Sequence, residues 1–130
     1  MIRIEPEDFH IDIPEQGGVY WIYSLDNNDV PYPINRILGI DTNGVLYIGE
    51  SENLRDRLRM LWRVLNPEYL ATAHTFGVNY NALPSLQLRF PLNTLAVEYE
   101  VNAHHKIYET KLIETYRQTF GEVPPMNGRK

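Results

Sequence analysis

The chain contains no cysteine, which excludes disulfides, thiolate nucleophiles and thiolate metal sites. It also lacks any apolar run near the ~20 residues that a membrane-spanning helix needs. The longest, GVYWIYSL at 18–25, falls far short, so no membrane partner is expected. No basic segment followed by an apolar one opens the sequence, so no signal peptide is expected and the cytoplasm is the default compartment. Internal repeats, low-complexity tracts and long linkers are absent too. Positive charge is scarce: 12 Lys and Arg stand against 17 Asp and Glu, a net charge of −5. Taken whole, that balance argues mildly against a nucleic-acid partner. The deficit is local, however. Residues 1–16 hold Glu5, Glu7, Asp8, Asp12 and Glu15 against Arg3 alone, and the remainder is close to neutral. Arg55, Arg57, Arg59 and Arg63 cluster in one short segment, so an acidic protein can still carry a basic surface.

What is present is the composition of a globular domain. The 130 residues are 43% hydrophobic and 22% charged, enough for one domain with a proper core. Residues 1–16 read as an acidic arm or edge segment, and 17–130 as a single domain. GVYWIYSL, aromatic and β-branched, reads as a strand. Residues 26–33 are dense in turn formers. Segments 36–41 and 45–50 flank Asn43-Gly44, a dipeptide that favours a tight hairpin because both positions tolerate positive φ. Residues 51–66 read as a helix with Ser51 as its N-cap, and 104–120 as a second long helix stopped by Gly121 and Pro124. Between them, Pro67, Gly77, Pro84 and Pro91 break up 67–93, and LAVEYEV at 95–101 alternates as a strand should. The order β, β, β, α, irregular, β, α predicts an α/β protein of the α+β type. Its small, mostly antiparallel sheet would be flanked by helices.

Helical projection singles out two residues. Leu54, Leu58, Leu61, Leu65 and Val64 share one face of the first helix, and Arg57 falls among them. Arg55, Arg59 and Arg63 fall on the opposite face beside Glu52 and Asp56. There they suit a solvated, ion-paired stripe or a set of phosphate contacts. On the last helix, Leu112, Ile113, Tyr116 and Phe120 share a face with Glu109 in its middle. A guanidinium on an apolar face requires an anion, and a carboxylate there requires a partner or a metal. Two explanations fit: a buried structural Arg57–Glu109 salt bridge, or a site in which Glu109 holds a divalent cation and Arg57 a phosphate. His74, and the pair His104-His105, have no metal-ligand spacing around them. His74 is nonetheless a candidate phosphate contact.

Five elements then line up in order. Gly18-Val19-Tyr20 lies on the first strand and Tyr47-Ile48-Gly49 on a later one. YIGESENLRDRL carries Arg57, and Glu109 precedes Leu112-Ile113 on the last helix. Pro124-Pro125-Met126-Asn127 follows. In these features the chain resembles the GIY-YIG nucleases over residues 17–127. The resemblance implies a small antiparallel sheet flanked by helices and hydrolysis of DNA phosphodiester bonds with one divalent metal, Mg²⁺ or Mn²⁺. RNA remains a possible substrate. It implies that Glu109 is the sole protein ligand of the metal and that Arg57 clamps the scissile phosphate. Tyr20 would position or deprotonate the attacking water, Tyr47 would hydrogen-bond water or phosphate, and Asn127 would brace the site. Arg55, Arg59, Arg63 and His74 are candidate substrate contacts. The wide spacing of Tyr20 and Tyr47 marks residues 26–44 as an insertion between the first two motif strands, and Glu50 puts an acid directly after the second motif. No separate DNA-binding domain is expected within these 130 residues. Specificity would therefore come from its own loops, from a homodimer or from a protein partner. The alternative is a catalytically weak accessory module of the same fold that docks a protein.

Overall fold

The computed structural model describes residues 1–66 and 75–128. Over the described residues the protein is a small α+β fold built on an antiparallel sheet and four α-helices. In chain order the elements are β1 (Ile2–Arg3), β2 (Gly18–Ser24), β3 (Ile34–Arg36), β4 (Gly39–Asp41) and β5 (Val45–Ser51), then α1 (Leu54–Leu65), α2 (Thr75–Ala82) and α3 (Pro84–Arg89). A short 3₁₀ turn at Leu92–Thr94 leads into β6 (Leu95–Val101) and α4 (His105–Phe120). The main sheet has the order β1-β6-β2-β5, antiparallel throughout, and β3 and β4 form a separate two-stranded sheet.

Period-two alternation on the central strands gives the main sheet two apolar faces. Tyr20, Ile22, Tyr47, Leu95 and Val97 pack with Leu54, Leu58, Leu61 and Leu65 of α1, and with Phe76 and Tyr80 of α2. Tyr23, Val45, Ile48 and Ala96 take Leu112, Ile113, Tyr116 and Phe120 of α4 on the other side. The face of α4 that carries Glu109 is thus the one laid on the sheet, as the projection requires. Gly121 ends that helix in the left-handed region, at φ 81.

Residues 1–16 belong to the body of the protein. β1 is an edge strand, and Ile4, Phe9 and Ile13 are buried in the core that α1 covers. The same segment completes the start of α1, because the carbonyls of Gln16 and Pro14 accept the Leu54 and Arg55 amides. Those amides would otherwise be among the unpaired donors of a helix N-terminus.

Two local expectations are corrected. The N-cap of α1 is Asn53 rather than Ser51: β5 runs on through Ser51, and the Asn53 side chain accepts the Asp56 amide at 3.1 Å. The turn at Asn43-Gly44 forms, with Gly44 at φ 67, but does not pair 36–41 with 45–50. β4 pairs instead with β3 through a turn at Ile37-Leu38, and β5 pairs with β2. The Asp41 carboxylate collects the amides of Asn43, Gly44 and Val45 and steers the chain from one sheet to the other. The insertion over 26–44 therefore contains a hairpin of its own.

The far edge of β5 is covered by the C-terminal segment. Asn127 Oδ1 accepts the Ile48 amide at 3.0 Å, and its Nδ2 donates to the Ile48 carbonyl at 2.8 Å. The Met126 amide bonds the Leu46 carbonyl. Asn127 thus imitates the next strand. An Asn127→Ala variant leaves two buried backbone groups unpaired and is expected to lose about 2–4 kcal/mol of stability. Denaturant unfolding monitored by far-UV circular dichroism checks this.

Candidate active site

Tyr20, Tyr47 and Arg57 come together where β2 and β5 lie side by side, and Glu109, on α4, is near enough for its charge to act on both tyrosines. Tyr20 is opposite Gly49 in the register, and Ile22 opposite Tyr47, so both tyrosines point to the α1 side of the sheet. Gly49 has no side chain, and the Tyr20 ring fills the space: a β-carbon at Gly49 would stand 2.4 Å from Tyr20 Cζ and 2.5 Å from its Oη. The tyrosine hydroxyl therefore reaches across the strand that carries Tyr47, and the two rings sit 6.1 Å apart. Leu54 and Leu58 fix the buried face of α1 and bring the half-buried Arg57 in above them.

The electrostatics show how closely the four groups are coupled. Tyr20 is wholly buried. Burial drives its phenol far above the ordinary value, and Tyr47 pushes the same way. The Arg57 charge and a hydrogen bond from Arg57 oppose the rise, and the Glu109 charge adds to it. The Tyr47 phenol is likewise raised, first by burial. Arg57 lowers it, Glu109 raises it, a hydrogen bond from Tyr20 lowers it, and Glu50 raises it. Arg57 and Glu109, from helices on opposite faces of the sheet, thus act on the same two hydroxyls. Arg57 opens onto a shallow groove of about 390 Å³ with Glu50, Ser51, Glu52 and Lys106. Glu109 lines a depression of about 310 Å³ that runs along α4 past Ile113 and Arg117 to Val123.

The remaining candidates are placed elsewhere. Asn127 touches neither tyrosine hydroxyl among its hydrogen bonds; it holds the Ile48 backbone, and so the strand that carries Tyr47 and Gly49. Arg55 is occupied on the N-terminal segment, donating to the Ile13 carbonyl at 2.7 Å and to Glu15 at 3.3 Å. These contacts tie Arg55 to the N-terminal segment through Nε and one terminal nitrogen. Arg59 pairs with Asp56 at 3.2 Å, and Arg63 is exposed on the same outer stripe, turned away from the tyrosines. His74 lies outside the described residues.

One pair escaped the sequence-based expectations. Glu50 Oε2 lies 2.5 Å from His105 Nδ1, joining β5 to the first turn of α4. His105 stands four residues before Glu109, hence on the same helix face, and this spacing was the available signal. The pair gives the acid after the second motif a hydrogen-bond partner.

Among the described residues, no group of three or more His, Cys, Asp or Glu side chains is arranged to hold a metal ion, and no helix is long and apolar enough to cross a membrane. Comparison with protein-family models, curated proteins and solved structures yields no significant match. The resemblance noted in the sequence therefore rests on its motifs alone.

Proposed function

We propose that this protein is a metal-dependent phosphodiester hydrolase of the GIY-YIG type, acting on DNA. The observation that supports the reading is that Tyr20, packed on Gly49, and its neighbour Tyr47 both feel the charges of Arg57 and Glu109, brought in from two helices. Arg57, half-buried and opening onto a groove, would hold the scissile phosphate through its forked donors. Tyr20 and Tyr47 would hold Arg57 at the base of that groove and supply hydroxyl contacts beside it. Asn127 would keep β5 in register beneath them.

A half-buried carboxylate on the lip of a depression fits Mg²⁺ or Mn²⁺. Such ions keep several waters and take phosphate oxygens as further ligands, and need no closed cage of side chains. Glu109 is the residue that would hold the ion. When bound, the ion would stabilise charge that develops on the phosphate and the leaving oxygen.

A second reading, a catalytically weak module that docks a protein, draws on Ile37, Leu38 and Ile40, which are 70%, 65% and 59% exposed on the β3–β4 hairpin. Nicking of supercoiled plasmid in Mg²⁺ or Mn²⁺ at low salt separates the two. The expected result is metal-dependent nicking that falls to background in Glu109→Ala and weakens steeply as salt rises. Intact plasmid with wild type and variant alike, both folded, would transfer the weight to the docking module.

A further inference from the structure

The β3–β4 hairpin presents Ile37, Leu38 and Ile40 to solvent, and none of the three belongs to either core cluster. It is nevertheless pinned to the C-terminal end of α4. The Leu38 amide donates to the Phe120 carbonyl at 3.0 Å, and the Ile37 amide to Glu122 Oε2 at 2.8 Å. Arg36 donates to the Val123 carbonyl at 2.6 Å and pairs with Glu122 at 3.0 Å. Gly121 lets the hairpin close in, since a β-carbon there would stand 2.8 Å from Leu38 Cγ. Neighbouring exposed aliphatics on a fixed support mark a contact surface. A phosphate finds nothing at this tip, because Arg36 is only 10% exposed and committed to Glu122 and Val123.

The same chain carries a recess that fits such a projection. Between α4 and the sheet lies a groove of about 470 Å³, lined by Trp21, Tyr108, Leu112 and Phe120 with Lys111 and Thr115 beside them. A cavity of roughly 150 Å³ is enough for a benzene-sized group, so this one has room for two aliphatic side chains. Phe120 belongs to both features: it lines the groove, and its carbonyl holds the Leu38 amide. Projection and groove therefore adjoin at one end of α4. A two-fold contact needs that pairing, because each copy offers its projection to the other's groove and the contact is made twice. Charge points the same way. The projecting side chains are uncharged, and among the described residues that line the groove only Lys111 is charged. Glu122, 33% exposed, flanks the projection and would meet that lysine across the axis. Elsewhere two copies, each of net charge −5, repel one another.

We infer that the chain forms a closed two-fold dimer in which Ile37 and Leu38 of each copy enter the other's groove against Trp21, Tyr108 and Phe120. The hairpin is already held in shape, so little freedom is lost on docking. The contact is apolar, and salt screens the repulsion between the acidic copies, so raising salt should strengthen association. A nucleic-acid contact would show the opposite dependence.

The test is sedimentation velocity of the full chain from about 1 µM to about 1 mM, a span that brackets firm and weak association. The expected result is a monomer–dimer equilibrium that stops at two copies and shifts toward the dimer as salt rises. Leu38→Asp on the projection and Thr115→Arg in the groove both alter exposed positions, and circular dichroism checks that each variant folds. Each should weaken dimerisation by about 10²-fold, because one substitution is felt at both contacts. An equimolar mixture of the two variants should associate more tightly than either alone. One contact is then native, and at the other the introduced carboxylate faces the introduced guanidinium. A dimer formed through any other surface would not recover in this way. Should Thr115→Arg fail to fold, Thr119→Arg, at another exposed position along the groove, takes its place. Wild-type protein that stays monomeric throughout overturns the inference, as does a dimer that both variants leave unchanged. A mixture no tighter than its components overturns it too, and so does association that continues past two copies, since that contact would be open-ended. No readout here uses nicking, so the inference stands or falls apart from the nuclease reading.

Discussion

Gly49→Ala is expected to damage both the core and the site, although it adds a single methyl group. The new β-carbon would stand 2.4 Å from Tyr20 Cζ, 2.5 Å from Oη and 2.8 Å from Cε1. The ring cannot yield cheaply. It is wholly buried, tilted against Tyr47 and bonded by Arg57. Tyr47 is in turn packed edge-on against Phe76. Moving aside on β5 is no easier, because Asn127 holds Ile48 by both backbone groups, one residue away. Overpacking of this kind costs about 1–3 kcal/mol, and the rigid surroundings put this case at the upper end. The stability loss is expected whatever the protein does and is read from denaturant midpoints. If the nuclease reading is right, displacement of the Tyr20 hydroxyl should also lower plasmid nicking by roughly 10²-fold, the cost of a misplacement near 1 Å. Tyr20→Phe provides the comparison: it removes the hydroxyl without crowding the strand, so it should spare more stability than Gly49→Ala.

What the sequence made legible, and what it hid, divides along the range of the interactions involved. Arg57 and Glu109 stood out because helical periodicity is local. Leu54, Leu58 and Leu61 define the buried face of α1 wherever that helix docks, and Leu112, Ile113 and Tyr116 do the same for α4. β6 was legible from its alternation for the same reason. The partner of β4 was not. Asn43-Gly44 does make a turn, but turn chemistry reports only the bend, and the strands on either side of it enter two different sheets. The choice was made by Asp41, whose carboxylate takes three amides ahead of it, a pattern no spacing rule distinguishes from an ordinary hairpin. Arg55 shows the limit of charge patterning. It lies on the same outer stripe as Arg59 and Arg63, yet the Ile13 carbonyl, distant in sequence, takes its guanidinium. Glu50 and His105 were missed because their meeting depends on how α4 is laid across β5, which is fixed only when both faces of the sheet are filled. The short helices α2 and α3 were hidden in a stretch punctuated by proline. Pro84 proves to sit in the first turn of α3, where its missing amide costs nothing.

The joint between the insertion and the body of the fold should be the most sensitive single point in the chain. Asp41 is 1% exposed and accepts four hydrogen bonds: from the amides of Asn43, Gly44 and Val45, and from the Tyr116 hydroxyl at 2.9 Å. Two separate things depend on it. The amide bonds set the turn that sends the chain into β5, and the Tyr116 bond ties that turn to α4, the helix that carries Glu109. Asp41→Ala takes the acceptor from the buried Val45 amide and Tyr116 hydroxyl, each costing about 1–3 kcal/mol, and loosens the turn further by freeing the Asn43 amide, while the Gly44 amide keeps the Asp41 carbonyl at 3.2 Å. A total loss of about 4 kcal/mol or more is expected, a large share of the 5–15 kcal/mol that typically holds a domain together. Asp41→Asn should lose less, because one oxygen remains to accept while its new NH₂ faces donors. Tyr116→Phe should lose least, about 1 kcal/mol, since the carboxylate keeps its three amides. The decisive comparison is the double variant. In the Asp41→Ala background the Tyr116 hydroxyl is a buried donor with nothing to meet, so adding Tyr116→Phe should cost nothing further or recover stability. The two losses would then fail to add, as expected for groups that share one interaction. Denaturant unfolding of the four proteins measures this directly. Simple additivity would mean that the helix and the turn are stabilised independently, and that α4 does not depend on Asp41 for its seat on the sheet.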